Sequence, residues 1–77
     1  MHIYPNPFST SFLIRLNEVT EFTEIKLFDS TGKLVKTFGN FYSRDVLIER
    51  EDLQSGIYFY AVCENGVVVH SGKIIAD

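Results

Sequence analysis

The feature of this sequence that most restricts its fold is a hairpin signal between two apolar-rich runs. The runs Ile57–Glu64 and Val67–Ile75 are separated only by Asn65-Gly66. Asn-Gly is the strongest short signal for a two-residue β-turn, because both of its residues accept positive φ. The sequence therefore predicts an antiparallel pair of strands in which Glu64 faces Val67.

The rest of the chain carries further strand and turn signals and no segment of helical period. Phe12, Ile14 and Leu16 alternate with Leu13 and Arg15, and Ile25, Leu27 and Asp29 alternate with Lys26 and Phe28. This period of two is typical of half-buried strands. The turn formers Asp29–Gly32 should return the chain into a strand over Leu34–Phe38. About seven strands, separated by turns roughly every 8 to 12 residues, predict an all-β fold: an immunoglobulin-like antiparallel β-sandwich, with an open barrel as the alternative. Short strands at Ile3-Tyr4 and Val46–Glu49 complete the set.

Length and composition exclude several classes of protein. The 77 residues leave room for one domain, residues 1–77, and an apolar fraction of 45% suffices for a packed core. A net charge of −3 offers no electrostatic footprint for nucleic acid. No apolar run approaches the roughly 20 residues of a membrane span, and no signal peptide begins at Met1. The single cysteine, Cys63, has no disulfide partner, so the core must carry the fold.

Catalytic and metal-binding patterns are absent from the sequence. The two histidines, His2 and His70, have no metal-ligand spacing and no neighbouring nucleophile motif. Cys63 lies among apolar neighbours and is interpreted as a small hydrophobe of the core or of a sheet face. The acidic group Glu49, Glu51 and Asp52 is interrupted by Arg50 and lacks the pattern of a calcium loop. We therefore expect no enzymatic activity, no metal and no cofactor.

Two prolines stiffen the segment made of Tyr4, Pro5, Asn6, Pro7 and Phe8. Proline fixes φ, lacks an amide donor and pushes the preceding residue towards extended geometry. The segment is predicted to be an edge strand that leaves its sheet in a rigid loop, with Tyr4 and Phe8 pinning the ends of that loop to the core.

A second segment, Leu53–Tyr58, resembles the tyrosine corner of immunoglobulin-like sandwiches. In that corner a phenol bonds back to the upstream backbone and locks a crossover between sheets. This arrangement favours an inward Tyr58, although simple alternation puts the more apolar face of the last hairpin on the opposite side. A bulge at Gly72 would shift the register and turn Lys73 outward. The predicted inward residues are Tyr58, Tyr60, Val62, Val69 and Ile74.

Four motifs in order resemble the C-terminal sorting domain by which Bacteroidetes proteins are addressed to the type IX (Por) secretion system. The opening motif is Tyr4–Phe8, and the second is a strand-turn-strand element around Gly32. The third contains Leu53, Gly56 and Tyr58, and the fourth is the closing strand with Gly72, Lys73, Ile74 and Ile75. The sequence departs from the family pattern at Arg50, which should affect local packing, and at the final Ala76-Asp77, which should affect recognition.

The resemblance implies a non-catalytic secretion and sorting signal at the end of a larger secreted precursor. An upstream cargo domain, covalently linked, would be exported through the periplasm to the cell surface or the extracellular space. The implied partners are outer-membrane components of the secretion machine and its sortase-like peptidase. We expect the machine to contact the last strand and its tail, Gly72, Lys73, Ile74 and Ile75, by strand addition at the sheet edge. An exposed edge would also favour an edge-strand dimer of the isolated domain.

The alternative function is a fibronectin-like or carbohydrate-binding accessory module of a secreted enzyme or adhesin. Such a module needs several aromatic side chains on one exposed face. The candidates for this platform are Phe41, Tyr42 and Phe59.

Overall fold

The computed structural model describes residues 1–77, the whole chain, as two antiparallel β-sheets with no helix. The sheets have the strand orders β1-β2-β5 and β4-β3-β6-β7. The strands are β1 (His2–Tyr4), β2 (Ser11–Arg15), β3 (Thr23–Phe28), β4 (Leu34–Gly39), β5 (Asp45–Glu49), β6 (Gly56–Glu64) and β7 (Val67–Ala76). The all-β sandwich of seven strands predicted from the sequence is confirmed.

The strand order departs in one place from that of a constant-type immunoglobulin domain. In that domain the fourth strand lies beside the fifth, whereas here β4 pairs with β3 in the other sheet. The chain contains no helix of the length and hydropathy needed to cross a membrane.

The core is built from the alternate residues of strands that belong to both sheets. Phe12 and Ile14 of β2 and Ile25 and Leu27 of β3 are each no more than 1% exposed. Since successive side chains of a strand point to opposite faces, the period of two in the sequence translates directly into one buried face per strand. These side chains belong to a single cluster of 13 buried residues.

The final hairpin forms as the sequence predicts. Asn65 and Gly66 have φ of 51° and 80°, and Glu64 pairs with Val67. The inward assignment is confirmed for four residues, each no more than 7% exposed: Tyr58, Tyr60, Val62 and Ile74.

The assignment of Val69 to the core is wrong, because the bulge lies at Val69 and not at Gly72. Cys63 pairs with Val68 and Val62 pairs with His70, so Val69 is the extra residue of β7 and has no partner on β6. Its side chain is 58% exposed. The shift has the predicted consequence at the other end of β7, where Ile74 is buried and Lys73 is exposed.

The strand directions gather the connecting segments at two ends of the sandwich. One end, here called the motif pole, contains residues 5–10, 29–33, 50–55 and 77. The opposite end, here called the far pole, contains residues 16–22, 40–44 and the 65–66 turn. Met1 lies at the far pole, where its amino group donates to Asn17 Oδ1 at 3.2 Å. The four sequence motifs therefore reach the pole opposite to Met1.

Candidate functional site

The opening motif pairs with the edge of β7 at the motif pole. The amide of Phe8 donates to the carbonyl of Ile75 at 2.9 Å, and the amide of Asp77 donates to the carbonyl of Phe8 at 2.9 Å. The side-chain amide of Asn6 extends this pairing: Nδ2 donates to the carbonyl of Lys73 at 3.2 Å, and Oδ1 accepts from the amide of Ile75 at 3.0 Å. Asn6 thus supplies a donor and an acceptor in the place of a strand residue. The first and the fourth sequence motifs form one structural unit.

Phe8 anchors this unit, whereas Tyr4 does not. The Phe8 ring is 1% exposed and packs against Phe12 with ring centroids 4.7 Å apart. The prediction that Tyr4 also pins the loop is wrong, because its side chain is 53% exposed. In β1 the middle residue, Ile3, packs against the core, so alternation turns Tyr4 outward.

Arg50 joins the opening motif to the segment that carries the third motif. Its guanidinium donates from Nε to the carbonyl of Leu53 at 2.9 Å, and from its terminal nitrogens to the carbonyl of Ser9 at 3.0 Å and to Ser55 Oγ at 3.1 Å. The guanidinium carbon also lies 6.0 Å from the centroid of the Phe8 ring. In the sequence, Arg50 departs from the family pattern, and this departure was expected to affect local packing. The structure shows that it links Ser9, the residue after the opening motif, to the segment of the third motif, with one hydrogen bond to Ser9 and two to Leu53 and Ser55.

The tyrosine corner predicted at Leu53–Tyr58 is present. The phenol of Tyr58 donates to the carbonyl of Gln54 at 2.7 Å. Gly56 has φ of 149°, a conformation that residues with a Cβ rarely adopt, which explains the glycine of this motif. Ser55 Oγ donates to the main-chain carbonyl of Asp77 at 2.7 Å, so the corner also holds the end of β7.

The turn of the second motif lies at the same pole and is held by Asp29. Asp29 Oδ1 accepts from the amides of Thr31 at 2.9 Å and Lys33 at 3.0 Å, and Gly32 has φ of 89°. The hydrogen bond from the Thr31 hydroxyl, followed by that from the Lys33 amide, holds the pKa of Asp29 below its usual range. Gly32 is therefore a conformational requirement of the turn.

Gly72, predicted as a contact for the secretion machine, has a packing role beneath Tyr60. A Cβ at position 72 would lie 2.5 Å from the phenol oxygen of Tyr60. That oxygen is also 3.1 Å from Nε2 of His70, and burial raises the pKa of the Tyr60 phenol. The ring therefore has little freedom to move away from β7.

Replacement of Gly72 by alanine is expected to destabilise the domain by about 1–3 kcal/mol, because the Tyr60 ring must leave its rotamer or β7 must shift. Urea denaturation followed by circular dichroism measures this loss. Ser71→Ala, a change at the neighbouring exposed position, should stay within about 0.5 kcal/mol of the parent chain. A Gly72→Ala variant as stable as the parent would show that the packing does not exclude a side chain there.

The other three residues of the predicted machine contact divide by strand alternation. Ile74 is fully buried, Lys73 is exposed, and Ile75 is half-buried on the same outward face as Lys73. The opening motif already occupies the carbonyl of Lys73 and both main-chain groups of Ile75. The edge of β7 next to the tail is thus not free to accept an additional strand.

Asn6 covers the edge of β7, so removal of the Asn6 side chain should have a local effect on that edge. Asn6→Ala removes the donor to Lys73 and the acceptor for Ile75, so the Ile75 amide should exchange with solvent faster. We expect a stability loss of about 1 kcal/mol, since both bonds are exposed. Native-state hydrogen exchange measures the first effect and urea denaturation the second. Asn17→Ala, which removes one exposed acceptor at the far pole, is the control. Unchanged exchange at Ile75 would contradict the role given to Asn6.

The aromatic residues of the alternative function do not share a surface. Phe41 and Tyr42 lie in the loop after β4 at the far pole, where Phe41 packs against the core and Tyr42 is 98% exposed. Phe41 and Tyr42 line one cavity at the far pole. Phe59 lies on β6 and lines another cavity, together with Phe28. No single aromatic platform results.

Two of the acidic residues considered for a calcium site lie close to a lysine, and the cysteine is buried. Glu51 pairs with Lys36 at 2.7 Å, and Asp52 lies 3.7 Å from the same ammonium group. Cys63 is 3% exposed, as expected for a small buried hydrophobe. No group of three or more His, Cys, Asp or Glu side chains is arranged to hold a metal ion.

Nearly the whole sequence matches one known protein family. A family model for the secretion system C-terminal sorting domain matches residues 2–77. Searches of curated proteins and of solved structures gave no significant match. The motifs that resemble this family, and that the structure gathers at one pole, lie within the matched range. The chain belongs to the family of type IX secretion system C-terminal sorting domains.

Proposed function

We propose that this domain is a non-catalytic signal that directs a larger cargo protein across the outer membrane to the cell surface. The family supports a sorting role and a secreted protein. The observation that carries the proposal is the placement of all four motifs at the pole opposite to Met1. A cargo domain joined upstream of Met1 would lie beside the far pole. The motif pole would then face away from the cargo and stay accessible to a receptor.

The proposed partners are outer-membrane components of the type IX machine and a sortase-like peptidase. The former recognise the folded domain, and the latter removes the domain from the cargo. The cargo would reach them from the periplasm. The motif pole supports recognition of a folded domain, because its parts are separated in sequence. Asn6 and Ile75, for example, are brought together only by folding.

An edge-strand dimer of the isolated domain is not part of this proposal. Asn6 and Phe8 cover the tail end of the β7 edge, and the bulge at Val69 interrupts the ladder near its other end. Covered edges and bulges are two devices by which proteins discourage pairing between sheets.

The proposal is tested by fusing residues 1–77 to the end of a reporter that carries its own periplasmic signal peptide. In a strain with a type IX machine, the reporter is expected at the cell surface or in the medium. In an isogenic strain without the machine, it should stay in the periplasm. Fractionation and surface labelling measure the distribution. A reporter that remains periplasmic in both strains would refute the proposal.

A further inference from the structure

The outward face of the β3-β6-β7 sheet carries an apolar patch next to the motif pole, here called the tail patch. It consists of Phe28, Ile57, Phe59, Lys73 and Ile75. Register places Phe28, Phe59 and Lys73 in one row and Ile57 and Ile75 in the next. Residues paired across neighbouring strands point to the same face, so these five side chains are contiguous. Ile57 and Phe59 are 43% and 42% exposed.

The tail patch contains a cavity that fits an apolar side chain. The cavity has a volume of about 350 Å³ and lies above two small residues, Ala61 and Ser71. Phe28, Phe59 and the stem of Lys73 form its walls. Interface residues that fill such pockets and lose their contact with water there contribute most to binding.

The charge of the tail patch indicates which group of a partner would lie beside an apolar side chain in the cavity. The ion pairs of this chain engage Arg15, Lys26 and Lys36, whereas the Lys73 ammonium group has no carboxylate within ion-pair distance. A docked carboxylate would provide its missing partner. An anionic membrane is a poor fit, because the chain carries a net charge of −3 and only this unpaired lysine at the patch.

We propose that the tail patch docks a protein surface of the secretion machine that presents an apolar side chain beside a carboxylate. The apolar side chain enters the cavity between Phe28 and Phe59, and the carboxylate pairs with Lys73. This inference rests on the proposed function. It replaces the machine contact predicted from the sequence with the outward face of the sheet. It excludes Ile74 as a direct contact, since Ile74 is buried, whereas Gly72 lines the cavity with its main chain.

The test uses the reporter fusion with four single variants in the strain that has the machine. Phe59→Thr and Lys73→Glu are expected to lower export by about tenfold or more, the change that loss of an anchor or of a charge pair produces. Lys73→Arg keeps the charge and should export within about twofold of the parent. Leu47→Thr is the control, because Leu47 is also an exposed apolar strand residue, 58% exposed, and lies on the other sheet. Thermal unfolding of the purified domains verifies that each variant is folded.

Normal export of both Phe59→Thr and Lys73→Glu would overturn this inference and leave the proposed function standing. A parent fusion that stays periplasmic would overturn both. A photo-reactive benzophenone amino acid at position 59 gives a second measurement. An adduct with an outer-membrane component of the machine, absent when the label is at position 47, supports the inference. An adduct with a second copy of the domain or with lipid, or no adduct, overturns it.

Discussion

The domain with alanine in place of Phe8 is expected to lose about 3–5 kcal/mol of stability, the usual cost of removing a buried phenylalanine ring. The ring is 1% exposed, packs on Phe12 and lies beneath the Arg50 guanidinium. Because native domains are stable by roughly 5–15 kcal/mol, this loss is a large fraction of the total stability of a domain at the lower end of that range. The same change should free the main-chain pairing of Phe8 with Ile75 and Asp77. Urea denaturation at neutral pH, followed by circular dichroism, measures the loss.

Phe22→Ala is the matched control for this prediction. The side chain of Phe22 is 56% exposed, so the same truncation removes little buried surface and should change stability by about 0.5 kcal/mol or less. Loss of export is expected for Phe8→Ala and not for Phe22→Ala. A Phe8→Ala domain that loses less than about 1 kcal/mol would show that the opening motif is not anchored through this ring.

Deletion of Lys73–Asp77 is expected to unfold the sorting domain and to abolish export, while the cargo itself stays folded. The deletion removes Ile74 and Ala76, which are 0% and 3% exposed, and all main-chain partners of Asn6 and Phe8. Loss of a fully buried isoleucine alone costs about 2–5 kcal/mol. The reporter fusion measures export, and the activity of the reporter shows that the cargo is folded. Thermal unfolding of the purified truncated domain should show no cooperative transition.

The control for the deletion is Val67→Thr at the other end of the same strand. Val67 is 64% exposed, so this variant should remain folded and be exported like the parent. A truncated domain that unfolds cooperatively and is exported normally would contradict both the proposed contact at the tail and the packing role of β7. Because the deletion removes structure and contact together, only the single variants at the tail patch separate recognition from folding.

The strands and turns were accessible from the sequence because their signals are local. Asn65-Gly66 predicts its turn through the φ values that those two residues accept, and the observed values agree. Alternation in Phe12–Leu16 and Ile25–Asp29 indicates which side chains meet the core, since a strand repeats every two residues. The tyrosine corner was also predictable, as Tyr58 and its acceptor Gln54 are separated by only four positions in the chain.

The position of the bulge in β7 could not be predicted from local sequence signals. Gly72 was predicted to shift the register, yet the shift occurs at Val69 and Gly72 is required beneath Tyr60. Nothing in the sequence near Val69 distinguishes it from its valine neighbours. The position of a bulge depends on how β6 and β7 both meet the opposite sheet. In that arrangement Ile74 is buried and Val69 is exposed, and this is a property of the assembled core.

The sequence by itself determined that this chain is all-β, with a sandwich favoured over an open barrel, and that its motifs resemble a sorting domain. Only the tertiary structure decided how those motifs work together. Asn6 meets Ile75 across 69 positions, and Arg50 reaches Ser9 across 41. Contacts of such separation leave no periodic trace in a sequence, because they arise when two sheets pack and the loops at one pole are brought into hydrogen-bonding distance. The outward alternation at the end of β7 then leaves Lys73 and Ile75 accessible to a partner, whereas Ile74 and Ala76 are buried.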